Sequence, residues 1–469
     1  MIIRLQSLTL ALWAIAAFLP AQETSTSRPN ILIILTDDMG YGDVTCNGPG
    51  AGVQTRNIDR LAKQGVRFTQ YYAPSPLCSP SRAGMLTGRF PGRLRLNTYL
   101  QARVGNVNCE QDDWLDPAIP TLPRLLKSAG YATAHVGKWH LGGGRDVTTA
   151  PKFAAYGYDE GTGTWESPEP HSALGRKYPP WEQREEPGQV PRYRRTEYMV
   201  DRTLDFMQRH SDQPWFITLW PDDVHTPHRP SPEMAAKYGG NTDGTKTPRK
   251  NFQGVLEEYD RQIGRLMDGV TSMGLEQNTI VIFTSDNGPE PPFGTERTAG
   301  LRGIKMSLYE GGVREPFLVR WPGHIVPGTV NESTVLCAID LFPTLCNMAG
   351  VAIPQEIAKE FDGEQLSASL LGETPARQKT LYWEYGRKPD GFYKYPGRPI
   401  DRSPNVAARK NNLKVLVNAD GTGREAYDIQ SNSQESTAGL LSRSPEIDGL
   451  TSAALEWRKV LPPRQEYSY

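Results

Sequence analysis

The chain is poor in cysteine, poor in net charge and, beyond its N-terminal segment, poor in long apolar runs. It carries 5 cysteines in 469 residues and no Cys/His group at zinc spacing, which excludes a structural zinc and argues against a dense disulfide scaffold. In an exported protein an odd count leaves at least one cysteine unpaired or modified. Cys337 and Cys346 flank or sit in one predicted helix, about 13 Å apart at about 1.5 Å per residue, too far to bridge. Lysine plus arginine number 52 against 53 aspartate plus glutamate, so there is no broad basic field and nucleic acid is disfavoured as the main partner. Preference for an anion must then come from a local cluster of cations.

The exceptional apolar stretch runs from Leu8 to Leu19, after Arg4 and before small residues near Ala21 and a polar segment from Gln22 to Arg28. It is short for a bilayer and reads as a signal peptide over residues 1–21. No cysteine stands near the cleavage point, so a lipid anchor has no support. The expectation is an exported protein, periplasmic or secreted, with no stable membrane insertion once the signal is removed.

Asn30-Ile-Leu-Ile-Ile-Leu-Thr36 is a continuous apolar run of the kind buried on both faces of a sheet. Strand and helix patterns alternate after it: helix Thr55 to Gln64, strand Val66 to Tyr72, helix Thr121 to Ala129, strand Tyr131 to Val136, helix Thr196 to Arg209, strand Trp215 to Trp220, helix Phe252 to Met273, strand Thr279 to Thr284, strand Pro316 to Trp321 and a helix near Ile339 to Met348. This predicts an α/β domain over residues 28–365, with a mostly parallel sheet sandwiched by helices. Past Phe361-Asp362-Gly363 the texture changes to short strands joined by turns, then a helix from Pro445 with Ser444 placed to cap it. A small antiparallel α+β subdomain is expected over residues 375–469. The stretch from Gly142 to Arg195 lacks periodicity and reads as long loops that shape a pocket.

Chemistry-bearing residues gather at the ends of these strands. Asp37 and Asp38 follow the first. Cys78-Ser-Pro-Ser-Arg82 opens a helix and runs on to Thr87-Gly88-Arg89. Gly137-Lys138-Trp-His140-Leu-Gly142, His225-Thr-Pro-His228 and Ser285-Asp286-Asn287-Gly288 follow three more strands, and Lys305 precedes Tyr309-Glu-Gly-Gly-Val-Arg314. Each has a bland reading: a solvated turn, a solvated lysine, a loop-filling histidine, or a buried thiol beside a proline that a helix start tolerates. His135, inside a strand, is structural. The set needs one account rather than several coincidences. Asp37, Asp38, Asp286 and Asn287 supply hard oxygen ligands suited to Ca²⁺ or Mg²⁺. Arg82, Lys138 and Lys305 can neutralise a sulfate or phosphate, and His140 and His225 can move protons near neutral pH.

Taken together and in this order, these segments resemble the type I, formylglycine-dependent sulfatases of the alkaline phosphatase superfamily. The likeness extends to Glu425-Ala-Tyr-Asp-Ile429, which matches the family's E-L-Y-D-L with Ala at the second place. It implies an alkaline-phosphatase-like fold and a Cys78 converted to Cα-formylglycine by a formylglycine-generating enzyme. Modified Cys78 with Asp37, Asp38, Asp286 and Asn287 would hold Ca²⁺, Mg²⁺ being the alternative. Hydrolysis would proceed through a gem-diol and a covalent sulfo-enzyme intermediate. Arg82 and Lys138 would hold the nucleophile, Asp286 take its proton, His225 and Lys305 bind sulfate and protonate the leaving alcohol, and His140 promote sulfate release. Two other readings stay open: a phosphomonoester, phosphodiester or phosphonate hydrolase of the same superfamily, and a non-catalytic sugar-binding protein. Tyr156, Tyr158, Trp165 and His171, with the loop Asn97 to Asp116 and its Trp114, suggest a pocket that stacks on a sugar ring. A sulfated saccharide attacked at a chain end is the expected substrate.

Overall fold

The computed structural model describes residues 28–175, 188–244, 246–387 and 393–465. The expected signal peptide, 1–21, lies outside the described residues, within which no helix is long and apolar enough to cross a membrane.

An eight-stranded sheet forms the centre. Its strands run, edge to edge, Glu160–Gly163, Ala132–Gly137, Trp215–Trp220, Asn30–Thr36, Thr279–Ser285, Phe317–Arg320, Val66–Phe68 and Thr329–Asn331. All pairings are parallel except the two made by Phe317–Arg320, which runs antiparallel to both neighbours. The apolar run at Asn30–Thr36 occupies a central position, and its alternate residues feed two separate cores. Ile31, Ile33 and Leu35 pack with Met85, Leu86, Leu122, Leu126 and Leu345 on one face. Leu32 and Ile34 pack with Leu61, Met199, Phe206, Leu256, Ile263 and Leu266 on the other. A strand covered on both sides has no use for a polar position, which is why it reads as an unbroken apolar run.

A second, four-stranded antiparallel sheet is formed by Leu381–Glu384, Val406–Lys410, Leu413–Val417 and Glu425–Asp428 in sequence order. The helix Pro445–Lys459 covers one face through Ile447, Leu450 and Ala454, and Ser444 accepts a hydrogen bond from the Ile447 amide at its start. The opposite face, with Trp383, Leu416 and Tyr427, packs on Tyr72, Leu77 and Tyr309 of the larger unit.

Two local readings are corrected. Val66 to Tyr72 is not one strand: Val66–Phe68 joins the main sheet, whereas Tyr71–Tyr72 pairs with Leu336–Cys337 in a separate two-stranded sheet. Cys337 accordingly ends a strand, and the helix that holds Cys346 is Leu341–Met348. Cys46, Cys78, Cys337 and Cys346 are free thiols.

Candidate active site

Parallel strands present their carboxyl ends on one side of a sheet, where ligands bind in open α/β folds. Here Thr36 pairs with Ser285 and Gly137 with Trp220, so the residues that follow these strands emerge side by side. Two glycines make the approach possible. Gly137 has φ +118°, and a Cβ there would lie 2.2 Å from the Trp220 carbonyl oxygen. A Cβ on Gly288 would lie 2.2 Å from the Gly311 carbonyl oxygen, where Gly288 N–H donates to Gly312 O at 3.0 Å. The Asp-Asn-Gly and Glu-Gly-Gly segments are thereby locked together.

Cys78 is the first residue of the fully buried helix Cys78–Thr87, whose next turn carries Arg82 inward. The guanidinium donates from Nε and Nη2 to Asp286 Oδ2 at 3.0 and 2.7 Å, from Nη2 to Asp37 Oδ1 at 3.2 Å and from Nη1 to Lys138 O at 2.8 Å. It also lies over the Trp220 ring, 5.1 Å from its centroid. Lys138 Nζ donates to both oxygens of Asp37 at 3.1 and 2.8 Å, and Lys305 Nζ to both oxygens of Asp38 at 2.6 and 2.8 Å. His225 Nε2 stands 3.5 Å from Asp38 Oδ2. Asn287 Nδ2 donates to Asp38 Oδ1 at 2.8 Å, while its Oδ1 is buried with no hydrogen-bond partner. Ligand atoms of Asp37, Cys78 and Asp286 lie within 4.8 Å of one another. The nominated carboxylates, Asn287, the three cations, Cys78 and His225 thus converge on one place.

Burial pushes each carboxyl toward its neutral form, and the neighbours decide the outcome. Lys138, His225 and Arg82 outweigh burial at Asp37 and hold it well below the usual carboxylate range; Lys305 and His225 do the same, less strongly, for Asp38. At Asp286 burial wins over Arg82, with Asp37 and Asp38 adding repulsion, and the carboxyl rises to about 7. A further cation beside these groups would relieve that repulsion. Three carboxylates, an orphaned amide oxygen and no soft donor but Cys78 form a set that fits a hard divalent cation. Burial also raises the Cys78 thiol, against Lys138 and Lys305, so a thiolate nucleophile is disfavoured here.

Sequence reasoning found His140 but passed over Glu166, Arg145, Arg192, Arg195 and Asp222 around this cluster. His140 directs Nδ1 to Cys78 Sγ at 3.3 Å and Nε2 to Glu166 Oε1 at 3.3 Å and Leu100 O at 3.1 Å. Arg145 pairs with Glu166 at 2.6 Å. Burial lowers His140 well below its ordinary value despite Glu166, whereas His140, Arg145 and Lys138 overcome burial at Glu166 and hold it at about 2. Arg192 and Arg195 clamp Asp222, and Arg192 also donates to the His225 carbonyl at 2.9 Å, fixing that loop. Only strand pairing carries a signal for Glu166, and Glu160–Gly163 has the composition of a turn.

A cavity of about 690 Å³ opens over Cys78, within the usual range for a small-molecule site, and Tyr99, Trp165, Arg229, Glu290 and Lys394 are among the residues that line it. The expected aromatic wall is corrected. Tyr156 and Tyr158 are fully buried among His135, Trp139 and Phe153, and His171 leans on Tyr198. Of the four aromatic residues named in that segment, Trp165 alone lines the cavity; Tyr99, rather than Trp114, does so from the preceding loop. His135 is a core residue, its Nδ1 bonded to Thr218 Oγ1 at 2.9 Å.

Comparison with known proteins follows the same line. The family model described as Sulfatase matches residues 29–351, and that described as N-sulphoglucosamine sulphohydrolase, C-terminal, matches 304–446. Arylsulfatase A of Bos taurus is 34% identical over 413 residues, covering 81% of this chain and 75% of its own. N-acetylgalactosamine-6-O-sulfatase of Bacteroides thetaiotaomicron is 31% identical over 417 residues, covering 74% and 78%. The crystal structure of Ps i-CgsB in complex with k-i-k-neocarrahexaose superposes with a TM-score of 0.72 at 25% identity, covering 92% of this chain and 93% of that one.

Proposed function

The chain belongs to the sulfatase family and is a sulfuric ester hydrolase, and from that premise we propose that it removes sulfate from a sulfated carbohydrate at a chain end, using a divalent cation and a modified Cys78. Its fold is the alkaline-phosphatase-like one expected from the resemblance. Asp37, Asp38, Asp286 and Asn287 would hold Ca²⁺, or Mg²⁺, with the side chain at 78 completing an all-oxygen set once its sulfur is replaced. When bound, the cation supplies Lewis-acid charge at the reacting oxygens, and formylglycine, made by a modification enzyme, supplies a hydrated aldehyde as nucleophile.

The remaining work falls to the chain's own residues. Arg82 and Lys138, each tied to a carboxylate, hold the side chain at 78. Asp286 accepts the nucleophile's proton. Lys305 and His225, both against Asp38, bind the sulfate, and His225 donates a proton to the departing alcohol. His140 Nδ1 takes the proton whose loss lets sulfate leave.

The carbohydrate reading draws on two of the relatives, one an N-acetylgalactosamine-6-O-sulfatase and the other solved with a neocarrahexaose, and on the volume available over Cys78. Export to the periplasm or beyond rests on the N-terminal apolar segment. The observation that carries the proposal is the convergence of three carboxylates at adjoining strand ends with three cations and Cys78. Side-by-side kinetics on an aryl sulfate and an aryl phosphate, with the Cys78 peptide checked by mass, will show faster sulfate turnover and none in Cys78→Ala. Faster phosphate turnover, or an active Cys78→Ala enzyme, overturns the mechanism. On a panel of sulfated oligosaccharides, activity confined to small aryl sulfates would reject the carbohydrate substrate.

A further inference from the structure

His140 is held in an unusual way. Its φ of +56° lies in the left-handed region, which a residue with a Cβ enters at a cost of about 1 kcal/mol or more. What keeps it there is Glu166, through both backbone and side chain. The His140 amide donates to the Glu166 carbonyl at 2.9 Å, and the ring's Nε2 stands 3.3 Å from Glu166 Oε1. The juxtaposition follows from the sheet. Gly137 pairs with Gly163 at the ends of two parallel strands, and His140 and Glu166 stand three residues beyond each. Arg145 closes the arrangement, reaching Glu166 at 2.6 Å and donating to Leu100 O at 2.7 Å, the second oxygen facing His140 Nε2.

Both oxygens at Nε2, a carboxylate and a carbonyl, can only accept. The ring hydrogen therefore sits on Nε2, and Nδ1, 3.3 Å from Cys78 Sγ, carries a bare lone pair. We infer that Glu166 is a positioning residue that fixes the tautomer and orientation of His140, so that Nδ1 is free to accept a proton from the side chain at 78. The inference rests on the role of His140 proposed above. In that step the O–H bond at residue 78 breaks, its proton goes to Nδ1, its electron pair forms the C=O bond of the restored aldehyde, and the C–O bond to sulfate breaks, its electrons leaving with the sulfate. The carboxylate of Glu166 faces the positive charge that then forms on the ring and keeps its own oxygens unprotonated.

Glu166 also borders the cavity, so its test must separate positioning from substrate contact. Slowing a step that follows loss of the alcohol lowers kcat and KM together and leaves kcat/KM alone. In Glu166→Gln, kcat on an aryl sulfate should fall about 10-fold or more and KM by the same factor, with kcat/KM within about 2-fold of the parent and a burst of alcohol before the steady state. A fall in kcat/KM matching that in kcat, or a raised KM, overturns the assignment in favour of fold or substrate contact; an unchanged kcat overturns it outright. A second readout needs no modified enzyme. In the Cys78 protein, ¹⁵N NMR of the His140 ring should show hydrogen on Nε2 in the parent and a growing share on Nδ1 in Glu166→Gln. Hydrogen on Nδ1 in the parent overturns the inference even if the variant does not fold. Should the parent hydrolyse no sulfate ester, the proposed function fails, while the NMR result still reports on the pairing itself.

Discussion

Arg82 Nη2 reaches Asp286 at 2.7 Å and Asp37 at 3.2 Å, so a single buried guanidinium joins the ends of two adjacent parallel strands. Its side chain is wholly shielded from water, and without it Asp286 would lose its ion pair while Asp37 would keep Lys138 alone. Removing one member of a buried ion pair costs about 3–5 kcal/mol. Arg82→Met should lower the unfolding free energy of the metal-free protein by about 3 kcal/mol in urea. Arg82→Lys keeps the charge but not the fork, and should still lose about 100-fold in kcat. A Met variant within about 1 kcal/mol of the parent would show that the pair does not hold the two strands.

A cation bound among Asp37, Asp38, Asp286 and Asn287 binds the folded state alone and must raise its stability, by about 2.7 kcal/mol at a hundredfold excess over Kd. Chelator-treated protein should therefore melt at a lower temperature and recover on addition of Ca²⁺. Asn287→Ala, which deletes the orphaned amide oxygen, should shift the recovery to higher Ca²⁺. Identical melting curves with and without Ca²⁺ would reject the site.

Away from the cavity, Glu310 and Glu435 share Lys414, at 2.8 and 2.9 Å, all three buried. One lysine cannot satisfy two carboxylates. Lys414, Arg314 and Arg409 outweigh burial at Glu310 and hold it at about 2, while burial and Glu310 push Glu435 up to about 7. The folded state thus keeps a proton on Glu435 that the unfolded chain, near pH 4.5, releases. This contribution is full below pH 4.5 and is lost as pH rises to about 7, a change of about 3 kcal/mol. Glu435→Gln should match the parent at pH 4.5 and exceed it by about 3 kcal/mol at pH 8 in urea titrations. A pH-independent difference between the two proteins would refute the shared proton.

Trp165 is the aromatic residue that the long loop does deliver to the cavity. Stacking of this kind is worth about 0.5–1.5 kcal/mol beyond burial, or a factor of about 2–10. Trp165→Ala should raise KM for a sulfated disaccharide by that factor and leave kcat on a small aryl sulfate nearly unchanged. Equal effects on both substrates would place Trp165 outside the sugar subsite.

Much of the site was legible because each charged segment follows an apolar strand whose pattern survives burial on both faces. Asp37 after Thr36 and Asp286 after Ser285 are neighbours by register, and the sequence supplies both strand ends. Glu166 was hidden for the opposite reason: it follows Glu160–Gly163, an edge strand without a β-branched apolar residue, in a stretch without periodicity. Aromatic content misled in the same stretch. Composition cannot tell a ring that lines a mouth, like Trp165, from one that fills a core, like Tyr156 or Tyr158. The Val66 to Tyr72 run was read as continuous since nothing in Thr69-Gln70 announces a change of sheet.

The contact between Lys414 and Glu310 bears on how such a chain can be shortened. Glu310 stands five residues beyond Lys305, and the chain is also tied down on either side of that lysine by Tyr309 and Arg302, which reach Glu425 at 2.9 and 3.2 Å. The second sheet is therefore the anchorage of the lysine that faces Asp38. A message ending before residue 406 would still encode Cys78 and its carboxylates, yet strip these ties from the turn that carries Lys305. The two sheets are thereby joined through the segment that carries Lys305.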